Sequence, residues 1–166
     1  MVELPEVMGE VYRAFEVGIS KVTSLEADRL EGIKGAFRLA VDELLVNSTF
    51  YGLAGMTSKQ RVEAYIEVKE DLALTAAIDE RLQDREVRER RGSIAVDVFP
   101  DRAVLTVCDG TPFSDFRERW EGANDALLEE NLERLSGRGF LLLRSYGFSA
   151  EQTAAGAVVY TLKFAE

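Results

Sequence analysis

The chain has 166 residues, 46% of them hydrophobic, and carries a formal net charge of -10 at pH 7. This length fits one domain with a continuous core, and the acidic balance argues against a nucleic acid or an anionic membrane surface as partner, because both attract a basic face. A single cysteine and the lack of histidine exclude an intrachain disulfide, a cysteine cluster for zinc, histidine triads and histidine-ligated metals.

The N-terminal stretch MVELPEVMGE lacks the basic and apolar regions of a secretory leader, and no segment reaches the length needed to span a bilayer. We therefore expect a cytoplasmic protein without a membrane partner. Two amphipathic helices are predicted first, over residues 5–20 and from near Glu26 to Tyr51. Ser24 or Asp28 is expected to cap the second helix, and the glycines of the following GLAG stretch are expected to end it.

Glu43 and Asn47 stand four residues apart in the second predicted helix, in the sequence VDELLVNSTFYG. Side chains at this spacing project from the same face of a helix, and here they lie on the shoulder of its apolar arc, where a cleft could form. One interpretation is an ordinary pair at the boundary of the core. The other is a pair of site residues, and the spacing alone does not decide between them.

A helical insert is predicted at about residues 53–91. Most of 58–90 favours helix, because DLALTAAIDERLQDREVRERR is rich in helix formers and has no proline or glycine, although RVEAYIEVK also alternates like a strand. The charge-dense run 84–91 mixes both signs, which is more typical of a solvated helical end than of a binding patch.

A β-hairpin follows the insert. SIAVDVF turns Ile94, Val96 and Val98 inward, PDR supplies a turn, and AVLTVC forms the second strand. The polar stretch after CDGTPF has no convincing period and is predicted as a lid at about 113–136. A helix and a closing strand, AGAVVYTLKF, complete the chain. The order of helices, hairpin, helix and strand predicts a single α+β domain over 1–166, with helices on one face of a sheet.

Two glycine motifs flank the predicted lid. Asp109 and Gly110 follow the second hairpin strand in CDGTPF, and SGRGF opens the next helix with Gly137, Arg138 and Gly139. Taken singly, the first is explained by a plain turn after a strand and the second by a helix-entry turn. Backbone N–H groups at a helix start can, however, also hold an anionic ligand.

The three segments ELLVN, VCDGTPF and SGRGF, in this order, resemble the ATP-binding domain of the GHKL superfamily, shared by gyrase, heat-shock chaperones, mismatch-repair ATPases and histidine kinases. Within it the chain looks like a divergent member of the anti-sigma factor serine/threonine kinase branch. The resemblance covers roughly 30–52 and 92–166. It implies a Bergerat-type fold, a two-layer α/β sandwich whose mixed, mostly antiparallel sheet has helices on one face, with ATP and Mg²⁺ as cofactors.

The resemblance also implies a role for each motif residue. Glu43 would be the catalytic base that polarises the attacking hydroxyl, and Asn47 would bind the Mg²⁺ that bridges the phosphates. Asp109 would accept the amino group of adenine, and Gly110 would let the backbone come close to the base. The phosphates would lie at the helix start formed by Gly137, Arg138 and Gly139.

The chain departs from the family at five places. Asp109 directly precedes Gly110 where the family has one residue between them, Tyr51-Gly52 replaces histidine-glycine, and Phe148 replaces the acidic residue that usually follows the GRG helix. Residues 53–91 exceed the family's connection, and a first strand before the opening helix is hardly visible. The expected function is phosphoryl transfer to a protein hydroxyl or sequestration of a regulatory partner, a sigma factor or an anti-anti-sigma-like antagonist. A homodimer is also compatible with the resemblance. The alternative is a degenerate member that acts by protein binding alone; the catalytic half of a histidine kinase is less favoured, because no histidine is present.

Overall fold

The structure is a computed structural model, and it describes residues 4–57, 60, 78–111, 113–122 and 138–164. Gly137, residues 58–59 and 61–77 of the predicted insert, and residues 123–136 of the predicted lid lie outside the described residues.

Two long helices open the chain as predicted, α1 (Leu4–Ile19) and α2 (Ala27–Asn47). The residue that precedes α2 is Glu26, which is extended at φ -69° and ψ 151° and makes no capping hydrogen bond through its side chain. Neither Ser24 nor Asp28 is therefore the cap, and that prediction is wrong. Burial of one apolar stripe against the rest of the protein stabilises α2 without this cap.

The end of the second helix differs from the prediction. After Asn47 the chain widens into a π-helix, Ser48–Leu53, in which Ala54 N–H donates to Thr49 O at 2.9 Å. The Thr49 hydroxyl donates to Leu45 O at 2.8 Å and so competes for an acceptor of the helical ladder. Gly55 has a φ of +62°, in the region that favours glycine just beyond helices. Gly52 lies inside the π-helix and does not end it.

Four strands form one sheet in the order β1-β2-β4-β3: β1 (Ser93–Val98), β2 (Arg102–Cys108), β3 (Phe148–Gln152) and β4 (Val158–Lys163). The predicted hairpin is confirmed, with Val98 opposite Ala103 across the turn. Strand β3 was not predicted. Each of the three strand pairings in the described residues is antiparallel, so the mixed component that the resemblance implied is not found among them.

Residues 78–81 are helical, and three further helices follow. A short helix, α3 (Arg85–Glu89), begins at Asp84, whose Oδ1 accepts from Glu86 N–H at 2.8 Å. The first part of the polar stretch that was expected to be an irregular lid forms a helix, α4 (Phe113–Gly122). The SGRGF motif leads into α5 (Arg138–Ser145), as predicted. Within the described residues, no helix is both long and apolar enough to cross a bilayer.

Helices and sheet share one main core, which confirms an α+β fold with two layers. Leu105 of β2 and Leu143 of α5 are almost fully buried in it, and the rings of Phe15 and Phe37 stack with centroids 3.7 Å apart. A second, smaller apolar cluster forms around Phe50 of the π-helix. The core lies directly beneath the point where α2, the end of β2 and the start of α5 meet.

Candidate functional site

Glu43 and Asn47 point at the first turn of α5. A Cβ atom at Gly139 would lie 2.5 Å from Glu43 Oε2 and 3.1 Å from Asn47 Nδ2, so a side chain there would displace the ends of these two side chains. The first N–H groups of a helix lack intrahelical partners and carry the positive end of its dipole. A carboxylate beside Gly139 is therefore electrostatically favoured, and the same helix start would attract a phosphate.

Asp109 and Gly110 form a tight turn at the end of β2. Asp109 Oδ1 accepts from Thr111 N–H at 2.8 Å, and Gly110 has a φ of +80°. The side chain of Asp109 thus stabilises its own turn, as aspartates in such turns do, and the positive φ explains the glycine. One carboxylate oxygen serves this structural purpose.

The other oxygen of Asp109 faces the π-helix. A Cβ atom at Gly52 would lie 2.7 Å from Asp109 Oδ2 and 2.4 Å from Asp109 Cγ. These contacts are shorter than any real Cβ makes, so the carboxylate occupies the space that a side chain at residue 52 would need. Gly52 is the residue that lets the end of the second helix pack against the end of β2.

Asn47 and Asp109 both line a recess between α2, the sheet, α4 and α5. Its other lining residues are Leu44, Ser48, Val107, Thr111, Phe116, Arg119, Phe140, Val158 and Tyr160. The space within it that the centre of a water molecule can reach is about 20 Å³. That is room for one or two waters and not for a purine.

Helix α4 fills the recess with aromatic side chains. The ring of Phe116 lies 5.9 Å from that of Phe140 and 6.3 Å from that of Tyr160, and both contacts are edge to face. Arg119 places its guanidinium 4.4 Å from the centre of the Tyr51 ring, a geometry in which a cation is attracted to an aromatic face. These contacts join α4 to the π-helix and to both layers of the core.

Charge near the recess also acts on Tyr160. Burial raises the pKa of its phenol above the ordinary value, the negative charge of Asp109 raises it further, and the positive charge of Arg119 opposes both. Tyr160 therefore stays neutral well beyond physiological pH. Asp109 and Arg119 thus act in opposite directions on the same buried phenol.

Some of the sequence-predicted site residues lie close together in the structure, and others do not. Glu43, Asn47 and Gly139 adjoin one another, and Asp109 shares the recess with Asn47. Gly110 lies on the other side of its turn, where it lines an open cleft of about 470 Å³ with Cys108 and the β3-β4 turn. Two further predicted residues complete the set: Arg138 is the first residue of α5, and Gly137 lies outside the described residues. The roles of all these residues stay predictions.

Sequence reasoning missed several residues that shape this region. Gly52 was interpreted as a helix terminator, and the segment that contains Arg119 was expected to be an irregular lid. The spacing of Phe116 and Trp120, four residues apart, was the available sign that their segment is a helix with one apolar face. No local pattern reveals that Arg119 reaches Tyr51, because the two residues are distant in the chain.

The chemical groups at the site suit Mg²⁺ and a nucleotide, but the recess is too small for a nucleotide base. Asn47 offers an amide oxygen of the kind hard cations prefer, Glu43 adds a carboxylate, and the start of α5 offers backbone N–H groups. In the described parts of the chain there is no cluster of three or more cysteine, aspartate or glutamate residues that could hold a metal ion. Access for a base would require α4 to move.

Comparisons with protein-family models, curated proteins and solved structures found no match.

Proposed function

We propose that the chain is an ATP- and Mg²⁺-binding regulatory domain with a Bergerat-type fold, similar to anti-sigma factor serine/threonine kinases and acting in the cytoplasm. The observation that carries the proposal is the convergence of three segments that are far apart in the sequence. Asn47 and Asp109 line one recess, and Gly139 adjoins both Glu43 and Asn47. Accidental motifs would have no reason to meet at one place.

Each residue has a task in this proposal that its chemistry supports. Bound ATP supplies a phosphoryl group whose transfer depends on positioning and charge neutralisation. Asp109 would accept a hydrogen bond from the exocyclic amino group of the base, and the amide oxygen of Asn47 would hold the cation. Glu43 orients the hydroxyl of a protein substrate and accepts its proton. Gly139 adds no side chain of its own to the helix start, which would let the backbone there approach the phosphates.

A second candidate function is protein binding without turnover, by a chain whose nucleotide site has closed. The aromatic packing of Phe116 against Phe140 and Tyr160 favours it, since these residues and Arg119 line the recess and leave only about 20 Å³ of reachable space in it. The two candidates share the partner class, a sigma factor or its antagonist. They differ in whether α4 opens to admit ATP.

Thermal unfolding with and without Mg-ATP separates the candidates. A ligand present at a hundredfold excess over its Kd stabilises the native state by about 2.7 kcal/mol, which for a chain of this size raises Tm by roughly 5 to 10 °C. We expect such a rise with Mg-ATP and a smaller one when magnesium is removed. An unchanged Tm at millimolar Mg-ATP would leave protein binding without turnover as the function.

Substitution of Asp109 by asparagine tests where the base binds. The amide side chain of the D109N variant would keep an oxygen for the N–H of Thr111 and would replace the second carboxylate oxygen by an N–H donor. The variant should therefore fold, lose preference for ATP and gain affinity for GTP, whose base carries a carbonyl at the corresponding position. Asp101→Asn, in the exposed hairpin turn, is the matched control. Equal preference in both variants and the wild type would show that Asp109 does not read the base.

Substitution of Asn47 by alanine tests the metal ligand. The Mg²⁺ dependence of the Tm shift should weaken in this variant, whereas the shift with ATP in the absence of magnesium should persist. Transfer of labelled phosphate to an antagonist protein is a separate measurement, and Glu43→Gln should abolish it while nucleotide binding remains.

A further inference from the structure

Two arginines bind the carbonyl groups at the end of the π-helix. Arg81 donates through two nitrogens of its guanidinium to the carbonyls of residues 54 and 55, at 3.0 and 2.9 Å. Arg90 donates to those of residues 52 and 53, at 3.4 and 3.3 Å. Four consecutive carbonyls thus receive a cationic donor.

This arrangement fixes the position of the turn. The last carbonyls of a helix have no intrahelical partners and carry the negative end of the dipole, so a cation that binds them is favoured. A guanidinium that donates two hydrogen bonds from its planar fork also restricts orientation, which a lysine cannot do. Arg81 is half-buried and makes the shorter bonds, so it holds the turn more firmly than the exposed Arg90.

The opposite side of the same turn packs against Asp109. The missing side chain of Gly52 is the space that the Asp109 carboxylate occupies, with Asp109 Oδ2 2.7 Å from the position of a Cβ atom. Asp109 Oδ1 is held separately by Thr111 N–H. The position of Gly52 therefore limits where Asp109 Oδ2 can lie, and the position of Gly52 depends on the two arginines.

We propose that Arg81, assisted by Arg90, is a positioning residue for Asp109 and thereby sets the selectivity of the site for adenine over guanine. The proposal rests on the proposed function, because it names the determinant of base selectivity in that site. It also gives a task to the described end of the predicted insert, residues 78–91, which tie the end of the second helix in place. A shift of residues 78–91 would change the position of the Asp109 carboxylate without any contact between this segment and the nucleotide.

The test compares Arg81→Gln with Arg85→Gln. Arg85 lies in the same segment but, among the described residues, pairs with Glu89 at the surface, so its substitution removes the same charge without touching the turn. We expect Arg81→Gln to reduce the ratio of the Kd values for Mg-GTP and Mg-ATP by about tenfold, the value of one hydrogen bond to a charged group. Arg85→Gln should leave the ratio unchanged. Arg81→Lys keeps the charge but not the planar fork, and its Kd ratio should lie between those of Arg81→Gln and the wild type. It is the milder variant to use if Arg81→Gln does not fold.

A second measurement needs no nucleotide. The backbone amide chemical shifts of Asp109 and Gly110, followed by NMR, should change in Arg81→Gln and stay in place in Arg85→Gln. A lower Tm with an unchanged Kd ratio would assign Arg81 a purely structural role and overturn the proposal. If the wild type binds neither nucleotide, both the proposed function and the selectivity for adenine are wrong. Unchanged amide shifts in Arg81→Gln would instead show that Arg81 does not position Asp109, whether or not the wild type binds a nucleotide.

Discussion

Two glycines allow the close contacts on which the candidate site depends. Gly52 makes room for the Asp109 carboxylate, and Gly139 makes room for the side chains of Glu43 and Asn47. In both cases a backbone segment comes within contact distance of a polar side chain from another element. At both positions the close contact, and not an unusual φ, explains the glycine, since neither has a positive φ in the structure.

Substitution of Gly139 by alanine should destabilise the protein. The new methyl group would lie 2.5 Å from Glu43 Oε2 and would force the end of that side chain to shift, at a cost of about 1 kcal/mol, the low end for overpacking, because the end of a glutamate can move. Gly35→Ala is the control, because a Cβ atom there meets nothing within 4 Å and alanine favours the helix by about 0.4–1 kcal/mol. Urea unfolding measures both changes. Stabilisation by Gly139→Ala would show that Glu43 does not pack against this turn.

Tyr160 predicts how stability responds to alkaline pH. Its pKa is raised in the folded state, so its contribution is complete below the unfolded value near 10 and is lost as pH rises above it, at up to about 1.4 kcal/mol for each pH unit. Tyr160→Phe should lessen this loss between pH 10 and 11.5 in urea unfolding. Tyr12, whose pKa is also raised by burial and by its hydrogen bond to Asp42, should account for part of the loss that remains.

The matched control for Tyr160→Phe is Tyr146→Phe, which removes a hydroxyl from a ring that is 49% exposed. It should leave the alkaline loss as it is in the wild type. Equal curves for the wild type and Tyr160→Phe would mean that the phenol ionises without cost and that Tyr160 is not buried beside Asp109.

At the scale of elements, α1, α2 and the hairpin were predictable because each shows a sustained hydrophobic period. Strand β3 was not, since FSAEQ is a short edge strand with only Phe148 fully buried. The π-helix leaves no sign in STFYGL, because the change in hydrogen-bond register depends on packing and on the Thr49 hydroxyl. The motifs carrying Asn47 and Asp109 could be found by sequence, but their meeting in one recess and the closure by α4 depend on tertiary contacts.

The movement of α4 can be followed by the fluorescence of Trp120, the only tryptophan in the chain. Its ring lies 5.4 Å from that of Phe140 and 5.9 Å from that of Tyr160. If ATP enters the recess, α4 must withdraw, so Mg-ATP should shift the emission to longer wavelength. Mg²⁺ alone should leave the emission unchanged, and the Asn47→Ala variant should respond only at higher concentrations of Mg-ATP. A rise in Tm with constant emission would mean that ATP binds without moving α4.

On the scale of the whole molecule, one continuous core joins α1 at one end to the recess at the other. Phe15 and Phe37 belong to it, as do Phe116, Phe140 and Tyr160, whereas the cluster around Phe50 is separate. Because contacts run without a break from α1 to α4, we expect the main core to unfold as a unit. The satellite cluster beside the π-helix has fewer buried partners and is expected to open at lower free energy.

Substitution of Phe15 by leucine tests whether the main core unfolds as a unit. Phe15 is 2% exposed and stacks on Phe37, so the smaller side chain leaves a cavity and removes the ring contact, which should lower the free energy of unfolding by about 1–3 kcal/mol. Trp120 fluorescence and far-UV circular dichroism should shift to the same new urea midpoint, although Trp120 lies in a different element. Val17→Ala, on the same helix but 59% exposed, should leave both midpoints near the wild type. Separate midpoints in Phe15→Leu would divide the chain into two folding units, with α1 bound to a core that does not need it.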